Sequence, residues 1–223
     1  MSTPFTQTPV IAIDGPSASG KGTVAARVAE RLGFHYLDSG SLYRLVALAA
    51  RQARVDVEDE EALTGLARGM EVDFRGGCTW LSGRDVGEAL RSEEVGLAAS
   101  RVAARPAVRT ALLERQRGLR RPPGLVADGR DMGSIVCPDA ALKVFLTADV
   151  AARAERRYKQ LKEKGMYAKM ADVVEELKQR DERDSNRPVA PLKHYPDAIF
   201  LDTTGISADE AVARILGWWR ERQ

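Results

Sequence analysis

At 223 residues the chain is long enough to bury a substantial core within one large α/β unit, with or without an insertion. Its 34 Lys and Arg against 32 Asp and Glu leave a formal charge of +2, which excludes the broad basic field of a nucleic-acid binder and confines any phosphate affinity to a local site. Two cysteines, Cys78 and Cys137, exclude a disulfide framework, and no apolar run reaches the roughly 18 residues a membrane span needs, so the expectation is a soluble, cytoplasmic protein; that it is a monomer is a separate expectation on which these observations do not bear.

In chain order, Met1 to Pro9 is polar, without the apolar stretch of a signal peptide. Val10-Ile11-Ala12-Ile13 is a short apolar run that reads as a buried strand ending at Asp14-Gly15-Pro16. Val24, Ala25, Val28, Ala29 and Leu32 recur at helical spacing from Lys21, and Gly33 fits the C-cap. Phe34 to Leu37 predicts a second strand running into Asp38-Ser39-Gly40. Leu42, Leu45, Val46 and Ala49 mark a second helix, and a third runs from about Glu58 to Arg68. Between Met70 and Val86 the alternation breaks. Glu71 to Phe74, the turn Gly76-Gly77 and Thr79 to Leu81 read as a hairpin, hence a small antiparallel insert.

Two helices are predicted next, over 93–104 and 107–120, stopped by Pro122-Pro123-Gly124. Strand patterns resume in Leu125 to Ala127, Leu142 to Leu146 and Ala198 to Leu201, separated by helical segments. Strands alternating with helices predict a parallel sheet of about five strands wrapped on both faces.

Gly15-Pro16-Ser17-Ala18-Ser19-Gly20-Lys21-Gly22-Thr23 lies between a predicted strand and a predicted helix, the context a phosphate-binding loop requires. Its backbone N–H groups and the helix N-terminus suit a polyphosphate, with Lys21 reaching the β- and γ-phosphates. The usual pattern puts Ser or Thr directly after the lysine to meet Mg²⁺, but here Gly22 stands there and Thr23 follows. Mg²⁺ is therefore expected to be held mainly by phosphates and water, with Thr23, Asp14 or Asp128 in its outer shell. No Asn-Lys-x-Asp guanine reader exists, which excludes a GTPase reading.

Three further blocks accompany the loop: Asp38-Ser39-Gly40 with Tyr43-Arg44, Asp128-Gly129-Arg130-Asp131-Met132-Gly133, and Arg180 to Arg187. Together with Ser100, Arg109, the insert and Val189 to Leu192, they make nearly the whole chain resemble the bacterial cytidylate kinases, which are P-loop nucleoside monophosphate kinases. That resemblance implies γ-phosphoryl transfer from ATP to CMP, and to dCMP. It implies a core at about 8–40, 122–152 and 190–223, an acceptor-binding region at about 41–121 and a lid at about 153–189. By the same resemblance Ser39, Arg44, Arg130 and Arg187 hold the acceptor phosphate, Ser100, Arg109 and Asp131 meet the base, and Arg180 and Asp184 lie near the sugar, with Asp128 in the same acceptor set. Guanidinium forks match phosphate oxygens bidentately, and a carboxylate complements the cytosine amino group where the uracil carbonyl would oppose it.

Arg153, Arg156 and Arg157 fall at helical spacing after the strand Leu142 to Leu146 and are expected to close over the triphosphate, though an exposed basic face with Lys159 and Lys162 fits the same spacing. Lys21, Arg130, Arg187, Arg156 and Arg157 are the expected catalytic cations. His35 and His194 read as structural, and Trp218 and Trp219 as packing anchors. The rival readings are a kinase for UMP, AMP or shikimate and an ATP-binding regulatory protein without turnover.

Overall fold

A computed structural model of the chain describes residues 7–75 and 78–223; the expected turn Gly76-Gly77 lies outside the described residues. The elements run β1 (Val10–Asp14), α1 (Lys21–Leu32), β2 (His35–Asp38), α2 (Ser39–Ala53), α3 (Glu60–Gly69), β3 (Val72–Arg75), β4 (Cys78–Leu81) and β5 (Arg84–Asp85). They continue with α4 (Gly87–Leu90), α5 (Glu93–Val102), α6 (Pro106–Arg117), β6 (Leu125–Gly129), a π-helix (Met132–Val136), β7 (Leu142–Thr147), α7 (Val150–Glu163), α8 (Met170–Asn186), β8 (Ile199–Asp202) and α9 (Ala208–Arg220). They pack as two compact units, Met1–Leu37 with Gly118–Gln223, and Asp38–Arg117.

The first unit is built on a five-stranded parallel sheet ordered β2-β6-β1-β7-β8, the wrapped α/β sheet that the strand–helix alternation predicts. β1 lies in register between β6 (Ile11 beside Val126) and β7 (Ile13 beside Val144), so its apolar run is sealed on both edges as well as both faces. On one face Ile11, Ile13, Val144 and Leu146 meet Val24 and Val28 of α1 and Ile215 and Trp219 of α9. Phe34 packs edge-on against Trp219 at 5.7 Å, which makes the C-terminal tryptophan a packing anchor as expected. On the opposite face Ala12 touches the π-helix, where a Cβ added to Gly133 would lie 3.4 Å from the Ala12 methyl. The chain leaves neighbouring strands β1 and β6 in opposite directions, one toward β2 and the other toward β7. Such a reversal opens a crevice at the carboxyl ends of those strands, where Asp14 and Asp128 stand.

The second unit is a helical cluster, α2 against α5 and α3 against α6, with the small sheet β3-β4-β5. Asp38 caps α2 by accepting from the Ser41 N–H at 3.2 Å, and Asp59 caps α3 in the same way at 3.0 Å. The insert is antiparallel as expected but has a third strand that the hairpin reading lacks. Ser82 (φ 48°) and Gly83 (φ 74°) form a two-residue connection with both φ positive, which suits the twist of a tight hairpin and turns the chain from β4 into β5. Strand and helix ends elsewhere shift by a few residues; α6, for example, closes at Arg117 rather than 120. The π-helix has no counterpart in the sequence reading, because a five-residue turn with i→i+5 bonds leaves no periodic apolar signature.

Candidate active site

The loop between β1 and α1 is shaped by close backbone approach. A Cβ on Gly15 would stand 1.9 Å from the Leu146 carbonyl oxygen on β7, so only glycine lets the loop leave the sheet at that point. Ala18 (φ 59°) and Gly20 (φ 90°) curl the chain, and Ser19 Oγ donates to the Pro16 carbonyl at 3.0 Å across the turn. Helix α1 then begins at Lys21 with Gly20 as N-cap. It has no side-chain cap and no acidic residue in its first turn, which leaves its positive end unneutralised by the chain. That is the electrostatic setting of an anion site.

Lys21 Nζ points back over the loop, 3.4 Å from the Pro16 carbonyl and 3.7 Å from Asp128 Oδ1 at the end of β6. The Tyr36 hydroxyl donates to Asp128 Oδ2 at 3.3 Å. The departure of this loop from the usual lysine–hydroxyl order finds its physical reason here. A Cβ at Gly22 would meet Asp128 Oδ2 at 3.1 Å and the Tyr36 hydroxyl at 3.6 Å. The buried carboxylate crowds the space that a side chain at position 22 would enter. An oxygen donor therefore remains beside Lys21 although the hydroxyl is missing, and hard carboxylate oxygen is the ligand type Mg²⁺ takes. Thr23 is exposed. Asp14, expected as an alternative outer-shell group for the metal, is committed elsewhere, since its two oxygens accept the Met132 and Gly133 N–H groups at 2.8 Å each.

Burial pushes the Asp14 carboxyl up to about 7 against those two hydrogen bonds, with the nearby charges of Asp131 and Asp128 adding to the rise. Asp14 keeps a little accessible surface, but its carboxylate is surrounded closely enough for desolvation to prevail.

Arg130 follows β6 and carries three contacts. Its Nε donates to Asp184 Oδ2 at 2.8 Å, its Nη2 to Ser17 Oγ at 2.7 Å and its Nη1 to the Gly129 carbonyl at 3.2 Å. It thus ties the phosphate loop to α8. Burial pushes Asp184 up, but Arg130, Arg180 and Arg187 together prevail and hold its carboxyl below the ordinary value. Arg180 and Asp184 stand at i and i+4 on α8, which places them on one face, and Arg187 follows as the C-cap residue of that helix. Arg187 Nη2 lies 3.8 Å from Asp131 Oδ1, both side chains being buried, while its Nε donates to the Ala190 carbonyl. Six of the expected acceptor residues, Asp128, Arg130, Asp131, Arg180, Asp184 and Arg187, therefore come from the first unit. Arg130 is paired with Asp184 and Arg187 stands beside Asp131, while Asp128 is held by Lys21 and Tyr36.

The three arginines of α7 separate into two kinds. Arg153 turns inward: it forms a bidentate pair with Asp181 (3.1 and 2.6 Å) and also donates to the Ala148 and Ser17 carbonyls. It is a brace between α7, α8 and the loop, where the sequence reading expected a group closing over the triphosphate. Four of its five N–H donors are taken up within the protein. Arg156 lies along the loop, donating to the Ser19 carbonyl at 2.9 Å and the Thr203 carbonyl at 2.5 Å. The Thr203 hydroxyl lies within hydrogen-bond reach of both the Ser19 and the Thr147 carbonyls and has one proton to donate between them. Arg157 is part-buried on the same helix.

In the second unit Ser39 is buried at the start of α2. Arg44 donates from α2 to the Leu90 carbonyl at 2.7 Å, and its guanidinium lies flat against α5, 3.1 Å from where a Cβ on Gly96 would be. Ser100 follows Gly96 by one turn of α5 and is buried. Arg109 of α6 is buried, donates to the Ala103 carbonyl at 3.1 Å and stands 5.7 Å from the Tyr43 ring centre. His35 and His194 bond the Pro122 and Ala198 carbonyls, consistent with structural roles. Cys137 is buried as a packing residue, whereas Cys78 is exposed on β4.

The sequence reading missed Asp14 as a backbone clamp, Tyr36 as a partner of Asp128, and Thr203. The signals were slight: an acidic residue immediately before the loop glycine, and a hydroxyl directly after the last strand.

Comparison with known proteins agrees with the motif reading. The sequence model of a family described as "Cytidylate kinase" matches residues 11–221. A protein of Chromobacterium violaceum named "Cytidylate kinase" is 57% identical over 215 residues, 96% of this chain and 97% of that protein. Proteins with the same name from Burkholderia pseudomallei strain K96243 and Paraburkholderia phymatum are 56% and 57% identical, covering 98% and 97% of this chain and 96% and 95% of theirs.

Proposed function

Because the chain belongs to the cytidylate kinase family, we propose the following division of labour for its residues in moving the γ-phosphoryl group of ATP onto CMP, with ADP and CDP as products. The observation that carries this reading is the cluster at the strand ends. Lys21 sits against the buried Asp128, and Arg130 is shared between Ser17 of the phosphate loop and Asp184 of α8. One guanidinium thus bridges the donor loop and a residue assigned here to the acceptor side, an arrangement suited to positioning two phosphates for in-line transfer.

The loop Gly15 to Thr23 cradles the ATP phosphates, and Lys21 neutralises charge on the transferring group. Arg156 and Arg157 supply further positive charge to the donor side. Ser39, Arg44, Arg130 and Arg187 orient the CMP phosphate. Its second ionisation, near pH 6 for a phosphate monoester, leaves the attacking oxygen deprotonated at neutral pH, so no general base is needed. Ser100, Arg109 and Asp131 read the base, while Arg180 and Asp184 approach the sugar. Facing Asp131 with the uracil carbonyl would leave a buried acceptor without its partner, a loss of ~1–3 kcal/mol that favours CMP over UMP by about ten- to a hundredfold. No residue here is assigned to discriminating the 2′ position, and dCMP is accepted.

A bound Mg²⁺ would supply positive charge to the ATP phosphates. Asp128 is the residue that would hold it, through water, with Thr23 in the outer shell; the space its carboxylate takes beside Gly22 is the observation behind that assignment. Among the described residues no helix is long and apolar enough to cross a membrane. A monomer working in the cytoplasm on free nucleotides, without nucleic acid, completes the reading. ADP release measured with CMP, dCMP, UMP and AMP as acceptors tests it. CMP and dCMP should give the highest kcat/KM, and preference for UMP or AMP, or no turnover with any monophosphate, would overturn the assignment.

A further inference from the structure

Asp14 takes no part in the chemistry above, yet it is the residue through which the donor loop and the base-reading segment are joined. We propose that Asp14 is a positioning residue for acceptor-base recognition: from the last position of β1 its carboxylate clamps the backbone that presents Asp131. The Met132 and Gly133 amides donate to its two oxygens at 2.8 Å each, and the Gly15 N–H donates to the Gly129 carbonyl at 3.3 Å. The segment Gly129 to Gly133 is therefore stitched to β1 on either side of Arg130 and Asp131.

The fastening continues beyond the clamp. Asp131 stands at the N-cap of the π-helix (φ −150°, ψ 23°), and its carbonyl accepts from the Ile135 and Val136 N–H groups at 2.9 and 3.2 Å. Gly133 packs closely on the sheet, since a Cβ there would lie 3.2 Å from the Lys143 side chain and 3.4 Å from the Ala12 methyl. With its backbone pinned, the Asp131 carboxylate has a defined direction and meets Arg187 at 3.8 Å.

The choice of an acid is itself informative. A turn that needed one bond would be served by Ser or Asn without the cost of holding a carboxylate out of water. Two consecutive amides need two acceptor oxygens, and an asparagine would turn an NH₂ group against one of the N–H donors. Asp14 therefore acts through Asp131 and not on the nucleotide.

This proposal rests on Asp131 as the base reader, so Asp14→Asn and Asp131→Asn are assayed side by side. KM for CMP at saturating ATP, KM for ATP at saturating CMP, and the CMP:UMP ratio of kcat/KM are measured for both. Losing one amide bond should raise the CMP KM of Asp14→Asn about tenfold and narrow its CMP:UMP ratio, with the ATP KM essentially unmoved. A purely structural role would disturb the adjoining donor loop at least as much. Parallel rises in both KM values, or no change in either, overturn the proposal. An Asp131→Asn variant that keeps the wild-type ratio overturns the base-reader reading itself. A narrowed ratio there with an unchanged one in Asp14→Asn removes Asp14 alone. Should Asp14→Asn not fold, Asp14→Ser, which keeps one acceptor, is judged by the same split, and failure of both to fold assigns Asp14 to the fold and ends the proposal.

Discussion

Replacing Gly22 by alanine should separate helix stability from catalysis. Gly22 is the second residue of α1, where alanine gains up to ~0.5–1 kcal/mol of helix propensity over glycine. Its new methyl group would lie 3.1 Å from Asp128 Oδ2, inside the 3.4–4 Å of ordinary contact, so the carboxylate must give way by a few tenths of an ångström. That carboxylate is tethered by the Tyr36 hydroxyl at 3.3 Å and by Lys21 at 3.7 Å. Moving it disturbs the lysine and the oxygen nearest the metal's expected place. Misplacement of about 1 Å can cost ~100-fold in rate, so a shift of a few tenths should cost about tenfold. A coupled ADP-release assay should thus show kcat down about tenfold, while calorimetry shows an unchanged or slightly raised Tm. Wild-type kcat in Gly22→Ala would refute the idea that Asp128 occupies a functional position that a side chain would usurp. A Tm lowered by several degrees would show the backbone, not the carboxylate, yielding.

Lys21→Ala should lower turnover by orders of magnitude with an unchanged circular dichroism spectrum, and near-normal activity would overturn the donor-site assignment. Asp184→Asn removes the partner of a largely buried guanidinium and should cost ~3–5 kcal/mol in urea denaturation at pH 7; a loss below ~1 kcal/mol would mean that Ser17 and the Gly129 carbonyl satisfy Arg130 unaided. Asp14 has a folded-state value of about 7 against 3.8 unfolded, so its contribution to stability is fully present below about pH 3.8 and lost as pH rises through 7. Relative to Asp14→Asn, the wild type should lose up to about 4 kcal/mol between pH 4 and 7, and parallel stability curves for the two proteins would contradict the raised value.

The wrapped parallel sheet, the antiparallel insert and the phosphate loop were legible in the chain because each has a short-range signature. Val10 to Ile13 alternate with nothing and so demand burial on both faces. The order of strand, glycine loop, lysine and helix at the end of β1 is itself the local structure that binds phosphate. The third strand of the insert was hidden because β5 is only two residues, and its register comes from the turn at Ser82-Gly83 rather than from any apolar pattern.

Charge partners form the other class. Helical spacing grouped Arg153 with Arg156 and Arg157, but spacing says which face a residue shares and not what lies opposite. α8 happens to present Asp181 there, which turns Arg153 into a brace. The block Asp128 to Gly133 was recognisable as a motif, yet its hold on Asp14, 118 residues earlier, exists only because β6 lies beside β1. Local sequence determined which elements form and where a polyphosphate can sit, since backbone propensity and apolar periodicity act within a few residues. The tertiary structure alone decided which buried acid faces which cation or amide, and why position 22 is glycine, because electrostatic pairing and steric exclusion depend on distance in space rather than along the chain.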